Sequence, residues 1–261
     1  MSNDVFPATD GPVHVASIRC VDCPLRRCEV FQPIGGTELA VIDQLKRADL
    51  GLPAGSQLIR EHGDDHPLYT LLAGWAIRYK TLQGGRRQIL NVLLPGDFIG
   101  LQQKMDDAAH HGVEAITDVH VCRFARDAVW TLHRELPSLG YDVTWLAAHE
   151  NALVDDNLLS VGRRTALERA AAMLLTLQAR AQAHGAAGED GAGTFFPLTQ
   201  HHLADVLGLS LVHTNRTLRE LQRRGLYEVR AGARLVLPDP AALARLGHLR
   251  WPLVMPRRPL I

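Results

Sequence analysis

The chain of 261 residues has no long hydrophobic run. Its longest apolar stretches, such as residues 89–94 with Asn91 inside, are far shorter than the roughly 20 residues that a membrane-spanning helix requires. The N-terminus carries Asp4 and Asp10 and has neither the basic start nor the apolar core of a secretion signal. We therefore expect a cytoplasmic protein whose 46% hydrophobic residues fill the cores of two modest domains.

The chain also has no excess charge of either sign, because its 28 basic and 28 acidic residues balance. The charges are nevertheless distributed unevenly. Residues 1–159 hold 14 basic and 21 acidic residues, whereas residues 160–261 hold 14 basic and 7 acidic ones. An acidic half followed by a basic half favours different partners for the two halves, with a nucleic acid for the basic one.

Cysteine is scarce, with four residues in the whole chain. Cys20, Cys23 and Cys28 nevertheless lie within nine positions, and Cys122 follows much later. In a cytosolic protein such a cluster indicates metal or redox chemistry more than structural disulfides. The spacing by itself fits an iron-sulfur cluster, a zinc ion or a thiol-disulfide switch, and Cys122 alone could simply be a buried strand residue.

Turn-forming residues recur about every ten positions between Leu50 and Phe124. This spacing predicts antiparallel strands in a barrel or roll. Residues 75–80 place bulky apolar side chains at every second position, which is typical of a strand with one buried face. A hairpin turn is expected at residues 84–85, where two glycines follow each other.

Helices are predicted on both sides of this region. Apolar residues at every third position predict a short helix over residues 37–48 with Thr37 as its cap. Turn formers become rare after Arg126, and Pro137 suits the first turn of a long helix over residues 137–162. Apolar positions on more than one side of this helix indicate packing on its own domain and on a second copy. The expected homodimer interface consists of Leu146, Ala147, Asn151, Leu153, Val154 and Leu158.

The basic half carries the pattern of a helix-turn-helix followed by a hairpin. Thr199 can cap the first helix, Gly208 fits the tight turn, and the second helix runs from Ser210 to Arg224. Two short strands around residues 231–233 form a wing that suits backbone phosphates. Pattern and positive charge together predict that the second helix enters the major groove of DNA. The expected DNA contacts are Val212, His213, Asn215, Arg216, Arg219, Arg230 and Arg234.

An enzyme is the alternative from a different class. The roll could host a small-molecule reaction, but the sequence has no Ser/His/Asp pattern, phosphate-binding glycine loop or histidine-based metal spacing. A loop of small residues at 184–193 likewise shows no binding pattern. A pure enzyme would show no salt-sensitive affinity for DNA, so a DNA titration separates the two hypotheses.

Taken together, these parts resemble the CRP/FNR family of transcription regulators over nearly the whole chain. The resemblance rests on residues 71–74 (Leu-Leu-Ala-Gly) and 94–100 (Leu-Pro-Gly-Asp-Phe-Ile-Gly), and on residues 203–210 with Asn215 and Arg216. It implies an α+β fold with a cyclic-nucleotide-binding-like β-roll, a long dimerisation helix and a C-terminal winged helix-turn-helix. It further implies palindromic double-stranded DNA, a second copy of the chain and RNA polymerase as partners.

The resemblance also implies domain boundaries. A cysteine segment spans residues 1–36, the roll spans 37–136, the dimerisation helix spans 137–162 and the DNA-binding domain spans 163–250. A tail with three prolines follows at residues 251–261, and the sequence assigns it no role.

One branch of the family binds cyclic nucleotides and needs, after its Phe-Ile-Gly turn, a Glu for the ribose and an Arg-Ser or Arg-Thr pair for the phosphate. Here residues 101–103 read Leu-Gln-Gln and residues 112–115 read Gly-Val-Glu-Ala. No basic residue lies between Lys104 and Arg123. A phosphate would lack its charged partner in this pocket, so we expect no cyclic nucleotide.

The oxygen-sensing FNR branch holds an iron-sulfur cluster with N-terminal cysteines and a further cysteine in the roll. Cys20, Cys23, Cys28 and Cys122 resemble these four ligands, which implies a [4Fe-4S] cluster as the cofactor. One gap departs from the pattern, since four residues separate Cys23 from Cys28 where the prototype has five. Zinc, a thiol-disulfide switch and haem stay open as alternatives, although the 13 histidines form no constellation for haem.

The FNR branch usually reads its DNA half-site with Glu-x-x-Ser-Arg in the second helix. This chain has Val212-His-Thr-Asn215-Arg216, so only the arginine is retained. Arg216 suits a bidentate contact to guanine, whereas Val212 offers only apolar contact, for example to a thymine methyl group. We therefore expect the guanine to persist in the half-site and the base pair read by Glu to change.

Overall fold

A computed structural model describes residues 13–64, 67–101, 108–184 and 193–261. Its strands are β1 (Val13–His14), β2 (Lys46–Leu52), β3 (Gln57–Ile59), β4 (Leu68–Ala73), β5 (Ala76–Thr81), β6 (Arg87–Leu93), β7 (Phe98–Ile99), β8 (Gly112–Ala115), β9 (Val119–Phe124), β10 (Thr194–Phe195), β11 (Glu228–Arg230) and β12 (Arg234–Val236). Its α-helices are α1 (Gly36–Leu45), α2 (Ala128–Glu135), α3 (Pro137–Arg163), α4 (Ala166–Ala183), α5 (Gln200–Leu207), α6 (Leu211–Arg223) and α7 (Pro240–Leu246). Two 3₁₀ turns, Cys20–Asp22 and Pro24–Arg27, precede α1.

The N-terminal half is a β-roll built from two antiparallel sheets. One sheet has the strand order β1-β2-β9-β4-β7 and the other has the order β3-β8-β5-β6. Leu71, Val113 and Val121 belong to the fully buried apolar core of the roll. Strands β5 and β6 meet at the predicted glycine turn, where Gly85 has a φ of 77°. The predicted roll is confirmed.

The helix predicted over residues 37–48 is shorter in the structure, and its cap differs. Helix α1 ends early and the chain enters β2 directly, because this strand pairs with β9. The hydrogen bonds of the sheet outweigh the local helix signal. Thr37 lies inside the first turn, so its prediction as the cap is wrong. The Glu38 carboxylate instead accepts a hydrogen bond from the Gly35 N–H at 3.0 Å.

Strand β5 is covered on both faces at its start, in contrast to the half-buried strand predicted over residues 75–80. Arg78 is 6% exposed, and its Nη2 lies 3.0 Å from Oε1 of Glu150 on α3. Asn91 of β6 donates to the same carboxylate at 2.9 Å. Helix α3 therefore covers this face of the strand, and Arg78 pairs with Glu150 instead of contacting solvent. The alternation of residues in the sequence does not reveal this buried ion pair.

The long helix and the DNA-binding half pack against the roll. Helix α3 begins at Pro137, as predicted, and ends one residue beyond the predicted boundary. One apolar cluster joins Trp75 and Ile89 of the roll to Leu174 of α4 and Leu207 of α5. The two halves of the chain thus share a continuous core.

The tail at residues 251–261 returns to the roll. The Arg258 N–H donates to the Val30 carbonyl at 2.8 Å, and the Arg258 carbonyl accepts from the Gln32 N–H at 2.9 Å. The tail therefore pairs with the segment that carries the N-terminal cysteines.

The loop of small residues predicted over residues 184–193 falls almost wholly outside the described residues.

Among the helices that the structure describes, none is both long and apolar enough to cross a membrane.

Candidate functional site

Helices α5 and α6 form the predicted helix-turn-helix. At the start of α5 the Thr199 hydroxyl accepts the His202 N–H at 3.2 Å, and at the start of α6 the Ser210 hydroxyl accepts the His213 N–H at 3.3 Å. Each cap satisfies an N–H group that the helix itself leaves unpaired. Between the helices Gly208 has a φ of 63°, a conformation that favours glycine. These local features set the direction in which α6 leaves the turn.

Helix α6 has one buried face and one exposed face. Leu218 and Leu221 are buried in the apolar core. Four of the predicted DNA contacts lie on the exposed face, namely Val212, His213, Arg216 and Arg219. Asn215 is half-buried, and its Oδ1 is shielded from solvent without a hydrogen-bond partner among the described residues. The exposed face is suited to enter a major groove with its N-terminal residues.

The arginines of α6 fall into two groups. Glu220 forms ion pairs with Arg223 and with Arg224, the latter at 2.7 Å. Within the part of the chain that the structure describes, Arg216 and Arg219 form no ion pair. Their positive charge is therefore available to phosphates or to a guanine edge.

The predicted wing is a three-stranded sheet in the order β10-β12-β11. Strand β10 was not predicted, because two residues are too few to show an alternation. Nε of Arg230 lies 3.0 Å from Oε1 of Glu228, and Arg234 is half-buried. The wing thus carries positive charge that a neighbouring carboxylate partly neutralises.

The predicted dimer residues of α3 divide between the core and the surface. Leu146 is buried in an apolar cluster of its own chain, whereas Leu158 is 70% exposed. Asn151 is exposed, and the half-buried residues are Ala147, Leu153 and Val154. Tyr141 and Leu159 are exposed as well, although the sequence did not single them out. Helix α3 therefore presents apolar side chains to solvent both near its start, at Tyr141, and near its end, at Leu158 and Leu159.

The cysteines gather at one side of the roll. Cys20 begins the first 3₁₀ turn, and Cys23 precedes the second, which Pro24 opens. Cys122 lies on β9 and lines one cavity together with Cys20 and Cys23. Cys28 belongs to the same apolar cluster but does not line that cavity. The structure therefore brings three of the four predicted ligands to one place.

Charged groups adjoin the thiols. Nζ of Lys46 lies 2.9 Å from Oδ2 of Asp49, and the Cys122 thiol donates to Oδ1 of the same carboxylate at 3.3 Å. Burial raises the pKa of Cys20 to about 12, and burial together with the Asp49 charge raises the pKa of Cys122. Both thiols are protonated at neutral pH, so a metal has to displace their protons. Arg26 adds a positive charge to the cavity wall.

Cysteine side chains are the donors that iron-sulfur clusters use, so the chemistry of this donor set fits such a group. Among the described residues no group of three or more Cys, His, Asp or Glu side chains is close enough to hold a metal ion. A four-iron cluster keeps its ligands further apart than a single ion does. Within the described residues the thiols therefore do not form a single-ion site.

Asp97 and its partners were missed by sequence reasoning. This carboxylate is buried between Arg180 of α4 and Arg258 of the tail, at 3.1 and 2.5 Å. Burial by itself raises the pKa of Asp97, but the two guanidinium groups and the Leu94 N–H lower it to about 2. The only available signal was a charged residue inside the motif at residues 94–100.

Two family models match the chain. A cyclic nucleotide-binding domain matches residues 50–135, which contain most of the roll. A Crp-like helix-turn-helix domain matches residues 168–246, which run from α4 to the end of α7.

Similar proteins span nearly the whole chain. The nitrogen fixation regulation protein FixK of Bradyrhizobium diazoefficiens is 31% identical over 228 residues, which cover 87% of this chain and 93% of the relative. The transcriptional activator protein FnrL of Cereibacter sphaeroides is 30% identical over 226 residues, covering 86% and 90%. The solved structure of FixK2 from Bradyrhizobium japonicum aligns with a TM-score of 0.66 at 26% identity, covering 76% and 96%. The chain therefore belongs to the CRP/FNR family of DNA-binding transcription regulators, which are not enzymes.

Proposed function

We propose that this regulator binds palindromic DNA as a homodimer and senses oxygen or redox state through a [4Fe-4S] cluster. Cys20, Cys23, Cys28 and Cys122 are the proposed ligands. The observation that carries the proposal is the cavity that Cys122 of β9 shares with two N-terminal cysteines. Soft thiolates that converge from separate segments are typical of a cluster site.

The residues around the thiols would assist in holding such a group. When bound, the cluster supplies iron-sulfur bonds that react with oxygen. Arg26 and Lys46 place positive charge beside the cavity and so favour the thiolate forms that ligate iron. Leu72 and Phe124 provide apolar walls that limit the access of water. In this proposal zinc, a thiol-disulfide switch and haem are the competing sensors, and cyclic nucleotide is not a ligand.

The exposed apolar side chains of α3 support the proposed homodimer. Tyr141, Leu158 and Leu159 lie at the surface of this 27-residue helix. A second copy would cover these exposed side chains, while Leu146 stays in its own core. The dimer would place two α6 helices about one DNA turn apart on a palindrome. In this proposal an intact cluster favours the dimer, and loss of the cluster shifts the population back.

Arg216 and Val212 support an altered half-site. Both are exposed near the start of α6, where a recognition helix contacts base edges. Selection from random DNA should return a guanine opposite Arg216 and a changed or degenerate base pair opposite Val212. Recovery of the unmodified FNR half-site with full discrimination at that pair would contradict this part. Contact with RNA polymerase remains part of the proposal on family grounds alone.

The test starts with anaerobic purification of the full chain. We would record the visible spectrum and the iron and sulfide content, then admit air while measuring DNA affinity. A brown protein that bleaches and loses DNA binding is the expected result. Cys122→Ser should abolish the colour, whereas Val21→Ala, which changes an exposed residue between two ligands, should keep it.

Other outcomes identify the competing sensors. A colourless protein that contains zinc, or one whose thiols alone respond to oxidant, would overturn the iron-sulfur proposal. A haem spectrum would do the same. In each case the salt-dependent affinity for DNA should remain, because it depends on α6 and the wing.

A further inference from the structure

The tail at residues 251–261 enters the cysteine site. It leaves the DNA-binding half after α7 and ends with Leu260 and Ile261, which are buried and line the cavity that three cysteines share. The Thr70 hydroxyl donates to the Ile261 carbonyl, and Arg26 donates to the Leu260 carbonyl at 3.4 Å. The site is therefore built from both halves of the chain.

The tail and three of the cysteines enclose one small cavity. The cavity that remains has a volume of about 20 Å³, which is room for roughly one water molecule. Four irons and four sulfides need far more space than that. A cluster among these thiols therefore requires part of the cavity lining, which includes Leu260 and Ile261, to move away.

The contact that fastens the tail is weaker than the contact beside it. Arg258 pairs with Asp97 and lies over the Phe31 ring at 5.3 Å, but its Nε and Nη2 are buried without hydrogen-bond partners among the described residues. Arg180 binds the same carboxylate and donates hydrogen bonds to three acceptors. Unpaired buried donors cost free energy, so the Arg258 side chain is held less completely than the Arg180 side chain.

The fastened tail also holds the DNA-binding half close to the roll. Arg87 of β6 pairs with Asp205 of α5 at 3.0 Å, and Gln88 donates to the Val206 carbonyl at 3.1 Å. The tail runs from this same half back to the roll, where Arg258 pairs with Asp97. Release of the tail therefore removes one of the attachments between the C-terminal half and the roll, the Arg258–Asp97 ion pair.

We propose that residues 251–261 are an intramolecular plug that competes with the cluster for the cysteine site. With the plug in place, Arg258 adds one attachment of the C-terminal half to the roll, beside those of Arg180 and of α5. A bound cluster displaces Leu260 and Ile261 and thereby removes that attachment. The competition between plug and cluster depends on the cluster that we propose as the sensor. The protection of the thiols by the plug does not depend on that cluster. By linkage, whatever strengthens the plug weakens cluster binding by the same factor.

The first experiment measures thiol protection in the metal-free full chain. Alkylation of Cys20 and Cys122 by iodoacetamide is followed by mass spectrometry under anaerobic conditions at fixed pH. Arg258→Gln should raise both rates at least tenfold. Arg257→Gln is the matched control, because this neighbouring side chain is exposed, and it should leave the rates unchanged. Equal rates in the two variants would overturn the plug.

A second variant shows whether faster alkylation comes from loss of the plug or from loss of the fold. Leu260→Ser removes an apolar plug residue and leaves the Arg258 ion pair in place. Circular dichroism identifies which variants fold, and a folded Leu260→Ser protein should again show faster alkylation. Wild-type rates in that protein would contradict the proposal.

The second experiment measures competition by hydrogen exchange before and after anaerobic reconstitution with iron and sulfide. Loading should lower the protection of residues 251–261 and of α5. Unchanged protection of the tail in a protein that carries the cluster would overturn the competition. A protein that never takes up the cluster would contradict the proposed function instead, and the alkylation experiment would still decide whether the plug exists.

Discussion

Helix α6 and the junction around Asp97 keep their arginines in opposite surroundings. On α6, Arg216 and Arg219 extend into solvent, whereas at the junction Arg180 and Arg258 are 6% and 4% exposed. Loss of an ion-pair partner costs an exposed charge little free energy, because water solvates that charge. A buried charge that loses its partner strongly destabilises the fold. Substitutions on α6 should therefore change DNA binding and leave the fold intact, and substitutions at the junction should change stability first.

The largest effect is expected from Asp97→Asn. It leaves two buried guanidinium groups without their carboxylate, which should lower the free energy of unfolding by about 3 to 5 kcal/mol. Urea unfolding measures the loss. Asp127→Asn is the control, since this exposed side chain makes no capping hydrogen bond and should change stability little. Equal stability of the two variants would show that the junction does not depend on this charge.

Arg216→Ala should come next in size. Loss of a bidentate contact to guanine should weaken binding to the selected half-site by about 1 to 3 kcal/mol and relax specificity at that position. Unfolding should be unchanged. Arg223→Ala removes an arginine that already pairs with Glu220, so its effect on specificity should be small. DNA titrations at one salt concentration compare the variants, and equal losses would argue against a base-specific role for Arg216.

Acid should destabilise the junction in two steps. Burial, followed by the charge of Arg258, lowers the pKa of His184 from 6.5 to about 4, so the folded state resists its protonation. The unfolded state binds this proton more readily, and stability therefore falls as the pH drops from about 6.5 toward 4. The expected loss at pH 5 is about 1 to 2 kcal/mol.

The second step belongs to Asp97, whose pKa is lowered from 3.8 to about 2. Its contribution is complete above pH 4 and disappears as the pH falls toward 2. Urea unfolding at a series of pH values measures both steps. His184→Phe should reduce the upper step, to which the half-buried His120, His149 and His202 also contribute, and keep the lower one. An unchanged profile in that variant would contradict the assignment.

The smallest effect is expected at the wing. Glu228→Gln removes the carboxylate that neutralises Arg230, so DNA affinity should rise by less than about 1 kcal/mol. The salt dependence should steepen by about one phosphate contact. Glu135→Gln changes an exposed carboxylate on α2 and serves as control. An unchanged salt slope in Glu228→Gln would mean that Arg230 does not reach the DNA backbone.

The predictable parts of the fold were those with local causes. Thr199, Gly208 and Ser210 each act on neighbouring backbone groups, so the helix-turn-helix follows from residues close in sequence. The glycine turn after β5 was predictable for the same reason. Helix α1 was misjudged at its end, because the partner of β2 is a strand far along the chain.

The cysteine site was predictable only in part. The sequence indicated which four residues carry thiols and that they belong together. It contained no periodic signal in residues 251–261, so it could not show that Leu260 and Ile261 line the same cavity as three of those cysteines. Arg258 has the same appearance in the sequence as its neighbour Arg257, although one is buried and the other is exposed.

The sequence by itself therefore determined the family and the succession of roll, long helix and helix-turn-helix, since these depend on residue types and short spacings. Tertiary structure alone decided which charges are buried, that Asp97 binds Arg180 of α4 and Arg258 of the tail, and that the tail lines the cysteine cavity. The physical reason is that burial and ion pairing depend on contacts between residues far apart in sequence, which a local pattern does not record.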